Sequence, residues 1–336
     1  MSDIKTSESL PLLGSSPHIT TPVNTRMIMA YVIIALTPSA IAGVIFFGIP
    51  ALLTILVSVA AASLGEFLFR IITKQVPRNK DLSAIITGLM LALCLPPATP
   101  LWMTALGAMF AIVVAKEFFG GLGANVFNPA LIGRAFLVMS FPAAMTTWVE
   151  PSISGTANAL SSADVISSAT PLAIIKAGDA LNTLGSNYSD IIKTLFLGVH
   201  KGTIGETSVL AILLGFVFLL CVKVIDWRAP VSMLASVFIL SFILGRDPLI
   251  AVLGGGVVFG AVFMVTDYVT TPLTRKGKLI FGCGAGIITV MIRQWGSYPE
   301  GVMFSILIMN AVTPFLNRWL PRKYGHVRQA KGAKKT

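Results

Sequence analysis

The sequence predicts an all-α polytopic membrane protein of about ten transmembrane helices, arranged as two inverted five-helix repeats with one polar extracytoplasmic loop. Three observations lead to this prediction. Of the 336 residues, 55% are hydrophobic and only 12% are charged, whereas a soluble domain has about 25% charged residues. Ten apolar segments follow one another along the chain, and one polar stretch separates the first five from the last five. These features place the chain among membrane proteins.

The apolar segments define the predicted helices in order. They lie at about 27–48, 50–69, 82–97, 101–118, 129–147, 207–225, 229–245, 249–266, 279–293 and 301–317. Several are shorter than the roughly 20 residues that a straight membrane-spanning helix needs, so we expect tilted, broken or re-entrant helices among them. The segments divide the chain into a cytoplasmic lead, a first repeat, an outer loop, a second repeat and a basic cytoplasmic tail: 1–26, 27–147, 148–206, 207–320 and 321–336.

The distribution of Lys and Arg predicts the orientation. If all ten segments span the membrane, nineteen of these residues lie on one side and five on the other, and Arg134 lies within a segment. Because basic residues accumulate on the cytoplasmic side, we expect both termini in the cytoplasm and the 148–206 loop outside. The basic tail is typical of a cytoplasmic end held at anionic lipid. It lacks the interleaved aromatic residues of single-strand binding proteins, so nucleic acid is not expected as a partner.

Weak similarity relates the two halves of the chain. Three stretches align in register: 86–100 with 258–272, 106–120 with 283–297, and 125–135 with 301–311. Each repeat contains five segments, an odd number, so the second copy enters the membrane in the opposite sense. Inverted repeats place their sites near the middle of the membrane, where the halves meet. We therefore expect a site at that interface.

The stretch GGLGANVFNPALIGRAF (120–136) combines glycines and two asparagines at the mouth of a short apolar segment. Glycines let backbones approach closely, and a helix that starts inside the membrane leaves N–H groups available to a polar ligand or cofactor. The alternative is a tight re-entrant turn in which Asn125 and Asn128 cap the helix. An aquaporin-like pore is not expected, because the second repeat has no Asn-Pro-Ala at the equivalent position.

Two acidic residues lie near the ends of apolar segments. Glu66 and Arg70 are four residues apart on one helical face, where an ion pair would lower the cost of each charge in lipid. An intramembrane carboxylate is also a candidate for an ion pathway, so both interpretations of Glu66 stay open. Asp267 stands among threonines before a basic cluster, and a capped turn is its simplest interpretation.

The outer loop contains the stretch DVISSATPL (164–172). Small neighbours and a following proline would expose the hydroxyl of Thr170. No histidine or acid is spaced to activate a serine, so a hydrolase triad has little support and no catalytic residue is expected. On composition alone, Thr170 is a solvated loop residue.

These motifs resemble the D subunits of the Rnf family of ion-translocating ferredoxin:NAD oxidoreductase complexes, whose relatives are the B subunits of sodium-pumping NADH:quinone reductases. The resemblance covers nearly the whole chain after the N-terminal lead. Six blocks carry it in the same order: LPPATPLWM (95–103), GGLGANVFNPA, DVISSATPL, VTDYVTTPLTRKGKLIFG (265–282), SYPEGVMFSILIMNAVTP (297–314) and PRKYGH (321–326). The short lead and the close of the chain favour the Rnf branch.

The resemblance implies a covalently bound FMN in the outer loop. In the family, a threonine in a sequence of this type carries FMN through a phosphoester that a separate flavin transferase forms. The acceptor in this chain would be Thr170, with Asp164, Ser167 and Ala169 as recognition positions. The broader motif often has glycine where this chain has Ser168.

The resemblance also implies a riboflavin or flavin site within the membrane, near Asn125 and Asn128. Glu66 resembles the membrane carboxylate implicated in cation passage in the relative. No metal site is expected, since the three cysteines stand singly within apolar segments and metal sites need grouped ligands.

The function implied is that of a flavin-carrying subunit that relays electrons in a redox-driven ion translocase of the inner (cytoplasmic) membrane, moving Na⁺ or H⁺ outward. The chain has no nucleotide-binding fingerprint and no iron–sulfur cysteine set, so NAD and clusters are expected in other membrane, flavin and iron–sulfur subunits, and the chain is not expected to be active alone. Two alternatives remain: a flavin-free solute channel or transporter of urea-transporter-like architecture, and the B subunit of the sodium-pumping quinone reductase.

Overall fold

A computed structural model of the protein describes residues 24–75, 81–151, 188–296 and 301–319. Within these ranges the regular structure is helical. The helices are α1 (Thr25–Phe47), α2 (Ile49–Ile72), α3 (Ser83–Leu93), α4 (Leu101–Val113), α5 (Pro129–Ser140), α6 (Pro142–Met145), α7 (Tyr188–Leu197), α8 (Val209–Cys221), α9 (Arg228–Ile243), α10 (Pro248–Leu253), α11 (Val257–Phe259), α12 (Arg275–Trp295) and α13 (Val302–Trp319), with a 3₁₀ turn at Glu117–Phe119 and a π-helix at Gly260–Met264.

Each of the ten predicted apolar segments overlaps at least one of these helices. Among the described residues, three helical stretches are long and apolar enough to cross a membrane: Thr25–Phe47, Ile49–Ile72 and Leu101–Phe119, the last of which runs through α4 into the 3₁₀ turn. Helices α3, α5, α8 and α9 are apolar but shorter. Their lengths agree with the expected short helices, because a straight span needs roughly 20 residues.

The eighth predicted segment, 249–266, is a broken helix, of the kind expected among the shorter apolar segments. It is divided into α10, the three-residue α11 and the π-helix. Gly255 and Gly256 lie at the break with φ of 65° and 68°, a conformation that glycine adopts easily. The guanidinium of Arg293 donates hydrogen bonds to three backbone carbonyls at the end of α10 and in the following glycines. The broken backbone is therefore satisfied by protein, as membrane burial requires.

Part of the predicted outer loop is folded onto the helices. Helix α7 packs against α8 and α10. The backbone N–H groups of Ile204 and Gly205 donate to the carbonyls of Leu95 and Leu93, at 3.1 and 2.7 Å, and Ile204 is fully buried. The last residues of the 148–206 loop thus belong to the packed part of the molecule.

One continuous hydrophobic core joins the two halves of the chain. It includes Leu91 and Leu131 from the first half and Phe281 and Ile306 from the second. Large apolar side chains on α2, α9 and α13 are instead exposed on the outside of the molecule. An apolar core with an apolar outer surface is what a protein surrounded by lipid presents.

Helix contacts follow a similar order in both halves. In the first half α2 packs against α3 and α4, and α4 packs against α5. In the second half α9 packs against the π-helix and α12, and α12 packs against α13. Contacts between α1 and α8 and between α5 and α13 connect the halves. The candidate site lies where these halves meet.

Candidate functional site

A pocket of about 750 Å³, counting its open mouth, lies between the two halves. The first half contributes residues of α1 and α3, the turn that precedes α5, and the first turn of α5. The second half contributes the end of α8, the π-helix and the stretch 266–269. The interface between the halves was the expected position of a site.

Asn125 and Asn128 both line this pocket, and both are buried. The carboxamide oxygen of Asn128 accepts hydrogen bonds from the backbone N–H groups of Ala130 and Leu131, at 3.0 and 3.4 Å. Asn128 is therefore the N-cap of α5. Pro129 suits the first turn because proline has no backbone N–H that would need a partner there. The Asn125 side chain donates instead to the carbonyl of Phe127, at 3.0 Å.

The sequence left two interpretations of this turn open, a helix cap and a contact to a ligand, and the two asparagines differ in which one applies. Capping accounts for Asn128 and does not account for Asn125, which folds back on its own turn. Because both side chains also form part of the pocket wall, a cap and a ligand contact are compatible at this position.

A buried ionic cluster lies beside the pocket, and Glu66 is part of it. The predicted pair with Arg70 is present, with Arg70 Nη2 3.0 Å from Glu66 Oε1. Arg70 also contacts Glu117 with two nitrogens, each at 3.1 Å. Lys116 Nζ lies 3.2 Å from Glu66 Oε2. The four side chains are between 1% and 3% exposed, so water does not screen these contacts.

Sequence reasoning identified Glu66 and Arg70 and missed Lys116 and Glu117. The four-residue spacing made the first pair visible, whereas the other contacts join residues 47 and 50 positions apart. A signal was nevertheless present. Two adjacent charges close the apolar segment 101–118, and charges at membrane depth normally pair with one another.

The glycine turn covers the ionic cluster. Gly121 has a φ of 88°, and a Cβ at this position would lie 3.2 Å from Arg70 Nη2 and 3.5 Å from Glu117 Oε1. The neighbouring Gly123 also has a positive φ, yet nothing lies within 4 Å of the position of its Cβ. Gly121 therefore lets the turn lie close to the charged side chains. Both glycines also adopt a backbone conformation that other residues rarely adopt.

Lys116 and Ser83 belong to the cluster and to the pocket wall at once. Lys116 Nζ donates to Ser83 Oγ at 2.6 Å, and Ser83 Oγ donates to Asp81 Oδ1 at 2.7 Å. Both Lys116 and Ser83 line the pocket. The polar wall on this side is consequently continuous with the buried charges.

The opposite wall contains the stretch around Asp267. Asp267 Oδ2 accepts a hydrogen bond from Thr270 Oγ1 at 3.0 Å, and the Asp267 carbonyl accepts from the N–H of Thr271 at 3.2 Å. The predicted capped turn is confirmed. The Tyr268 hydroxyl donates to the carbonyl of Val224 and ties this turn to the segment that follows α8. The position of Asp267 on the pocket wall was not predicted.

The expected flavin attachment residues lie in a part of the chain that the structure does not describe. Thr170, Asp164, Ser167 and Ala169 all fall within 152–187, outside the described residues. Their assignment stays a prediction from the sequence.

Comparison with protein families gives a match over most of the chain. Residues 12–325 match the family described as NQR2, RnfD, RnfE. The match includes the five sequence blocks that begin at residues 95, 120, 164, 265 and 297.

Individual relatives match over nearly their full length. A Clostridium ljungdahlii protein, named as the D subunit of a proton-translocating ferredoxin:NAD(+) oxidoreductase complex, is 43% identical, over 97% of this chain and 99% of its own. An Acetobacterium woodii protein, named as the D subunit of a Na(+)-translocating ferredoxin:NAD(+) oxidoreductase complex, is 40% identical, over 96% and 98%. An Escherichia coli protein, named as the D subunit of an ion-translocating oxidoreductase complex, is 36% identical, over 94% and 98%.

Proposed function

The chain belongs to the NQR2, RnfD, RnfE family, and from this membership we propose that it is the D-type membrane subunit of an ion-translocating ferredoxin:NAD⁺ oxidoreductase complex. The observation that carries this proposal is 43% identity over 97% of the chain to a relative that is named as such a subunit. The other named subunits of such a complex are its partners. The chain contributes to a redox-driven ion translocase as one subunit, and it is not an enzyme by itself.

The covalent cofactor of this subunit is FMN, joined by a phosphoester to Thr170. The proposal rests on the sequence stretch DVISSATPL, which lies inside the region that matches the family. Asp164, Ser167 and Ala169 are the positions that a flavin transferase would recognise. The loop keeps the flavin on the outer face, while the isoalloxazine supplies the redox chemistry.

The pocket between the halves is the place for a second, noncovalent flavin, such as riboflavin. Ile86, Met90 and Phe263 provide an apolar wall, and Asn125 and Asn128 provide polar groups beside it. A mostly apolar cavity with a few polar side chains suits a flat heteroaromatic ring with hydrogen-bonding edges. The residues present therefore fit the group. Bound there, a flavin would supply electron-transfer chemistry, while the apolar wall excludes water and the asparagines orient the ring.

Both repeats of the proposed inverted architecture have the same helix order. The packing of α4 on α2 and α5 corresponds to the packing of α12 on α9 and α13. Thr99 and Thr271, which the repeat alignment pairs, each stand before a proline and donate to a backbone carbonyl, at 2.7 and 2.6 Å. These similarities support two inverted five-helix units within the inner membrane, at 27–147 and 207–320.

The positive-inside rule orients these units. We place both termini in the cytoplasm, including the lead at 1–26 and the tail at 321–336, and the flavin-bearing loop at 148–206 outside. The ionic cluster and the pocket then lie toward the cytoplasmic side, because α2 ends there and α3 begins there. Glu66 is the candidate for the ion pathway on that side.

One preparation tests the covalent and the noncovalent flavin together. The complete complex is expressed with its flavin transferase, purified and denatured. We expect a fluorescent band for this chain on a denaturing gel, an FMN-sized mass addition on the peptide that contains Thr170, and released riboflavin in the supernatant.

Two variants make this test specific. Thr170→Ala should lose the band and keep the released flavin, whereas Ser168→Gly, which restores the commoner motif, should keep both. A chain without any flavin would favour the alternative of a flavin-free channel of urea-transporter-like architecture. Copurification with quinone-reducing subunits, in place of ferredoxin-type iron–sulfur subunits, would favour the quinone-reductase alternative.

A further inference from the structure

The charged residues of the pocket wall are Lys116 and Asp267. They stand on opposite halves of the chain. Asp267 is held within its own turn by Thr270. Lys116 is therefore the cation that faces an occupant of the pocket, among the residues that line it.

The same ammonium neutralises Glu66. In the buried cluster two carboxylates, Glu66 and Glu117, face two cations, Arg70 and Lys116. Arg70 is shared and makes its paired contacts with Glu117. The second carboxylate oxygen of Glu66 is 3.2 Å from Lys116 Nζ. If Lys116 turned away, this oxygen would face a deficit of positive charge in a dry environment, which is costly unless another cation replaces it.

Other charged groups near Glu66 do not remove this deficit. Asp81, which reaches Lys116 through Ser83, adds negative charge on the α3 side. Glu117 adds negative charge on the 3₁₀ turn and already shares Arg70. The surroundings of Glu66 therefore favour binding of a cation whenever Lys116 leaves.

Lys116 has two side-chain partners, Glu66 and Ser83. Its charge is carried on a flexible four-carbon chain, and its second partner, Ser83, lies on the wall of the pocket itself. A rotation of the side chain toward the pocket would give up Glu66, and Ser83 is the partner available on that side.

We propose that Lys116 couples the charge in the pocket to the cation at Glu66: negative charge gained in the pocket draws the ammonium away, and Glu66 binds a cation from the cytoplasmic side. This inference rests on the proposed function, which places a flavin in the pocket. The exchange balances, with one electron entering from reduced ferredoxin through partner subunits and one Na⁺ or H⁺ entering at Glu66. Lys116 keeps its proton and only changes partner.

The measurement is the midpoint potential of the noncovalent flavin in the purified complex. It is determined by spectroelectrochemistry, first across pH at fixed Na⁺ and then across Na⁺ concentration at fixed pH. Uptake of one cation with one electron shifts the potential by up to about 59 mV for each tenfold change in that cation. A flavin ring takes up protons of its own on reduction, so the pH dependence is counted only where it exceeds that of free riboflavin measured in the same way. We expect either this excess or a Na⁺ dependence, and whichever is present is the cation dependence that identifies the ion.

Three variants separate coupling from a structural role. Lys116→Met should leave the flavin bound and remove the cation dependence, because Glu66 then holds a cation in both redox states. Glu66→Gln should also remove it, since no carboxylate is left to receive the cation. Lys116→Arg, which keeps the charge, should retain part of it. Lys193→Met is the matched control, because Lys193 is exposed on α7 and pairs with Asp190, and it should retain all of it.

Two results would overturn the inference in distinguishable ways. If the complex binds its noncovalent flavin and the cation dependence persists in Lys116→Met and Glu66→Gln, Lys116 does not couple the sites although the pocket proposal stands. If the wild-type complex holds no noncovalent flavin, the pocket proposal fails and the inference fails with it. Should Lys116→Met not assemble, full dependence in Glu66→Gln decides against the coupling.

Discussion

At the scale of single residues, Glu117 holds the buried ionic cluster together from the 3₁₀ turn. Its carboxylate accepts two hydrogen bonds from Arg70, and both side chains are almost completely buried. A two-point contact between a guanidinium and a carboxylate is stronger than an ordinary ion pair and fixes its geometry. The 3₁₀ turn is thereby fastened to α2.

We expect Glu117→Gln to destabilise the protein by about 3–5 kcal/mol, because Arg70 would remain as a buried charge with a weaker partner. Unfolding in mixed detergent micelles would measure this change. Asp190→Asn is the control, since the Asp190–Lys193 pair is exposed and such pairs contribute less than about 1 kcal/mol. Equal effects of the two substitutions would show that the cluster contributes no more than a surface pair.

Single residues of the ionic cluster could be predicted from the sequence only in part. Glu66 and Arg70 were predicted as a pair because helical geometry brings residues four apart onto one face. Lys116 and Glu117 reach the same place from another helix. Their partners depend on how α2 and α4 pack, which the local sequence does not specify.

At the scale of elements, α2 and α3 approach closely at Gly88. Ser58 Oγ donates to the Gly88 carbonyl at 2.7 Å. A Cβ on Gly88 would lie 2.8 Å from the Ser58 carbonyl oxygen and from Val59 Cα. Small residues at such crossings let membrane helices pack backbone against backbone.

Gly88→Ala should therefore push α3 away from α2 and cost about 1–3 kcal/mol of stability. Gly65 on α2 is a matched control, since a Cβ there would meet its nearest neighbours at 3.7 Å or more. Gly65→Ala should be neutral or stabilising by up to about 1 kcal/mol, because alanine favours helix. Unfolding in the same micelles would measure both, and a tolerated Gly88→Ala would contradict the close packing.

The broken eighth segment shows what hydropathy misses at this scale. The segment 249–266 is mostly apolar, so hydropathy alone does not indicate where its helix breaks. The three consecutive glycines at 254–256 were the available signal for a break. The tertiary structure supplies Arg293 from α12, which donates hydrogen bonds to the carbonyls that the break exposes.

At the scale of the whole molecule, the proposed orientation can be tested with single cysteines. Glu150 lies at the start of the predicted outer loop, and Lys276 lies in the basic stretch at the start of α12; both are exposed. In a background without Cys221 and Cys283, which are exposed, a membrane-impermeant maleimide should label Glu150→Cys in spheroplasts and Lys276→Cys in inverted vesicles. The opposite pattern would reverse the proposed topology.

The sequence alone determined the membrane class, the positions of the apolar segments and the family resemblance. These follow from local composition and from motifs, since the transfer of an apolar segment into lipid depends on that segment's own residues. The family assignment is confirmed by the match over residues 12–325.

Only the tertiary structure decided which of these elements share a site. It brought Asn125, Lys116 and Asp267 to one pocket and joined Glu66 to Lys116 across 50 positions of sequence. The physical reason is that the cost of a buried charge is relieved by whichever partner helix packing supplies, and that packing depends on contacts between segments far apart in the chain.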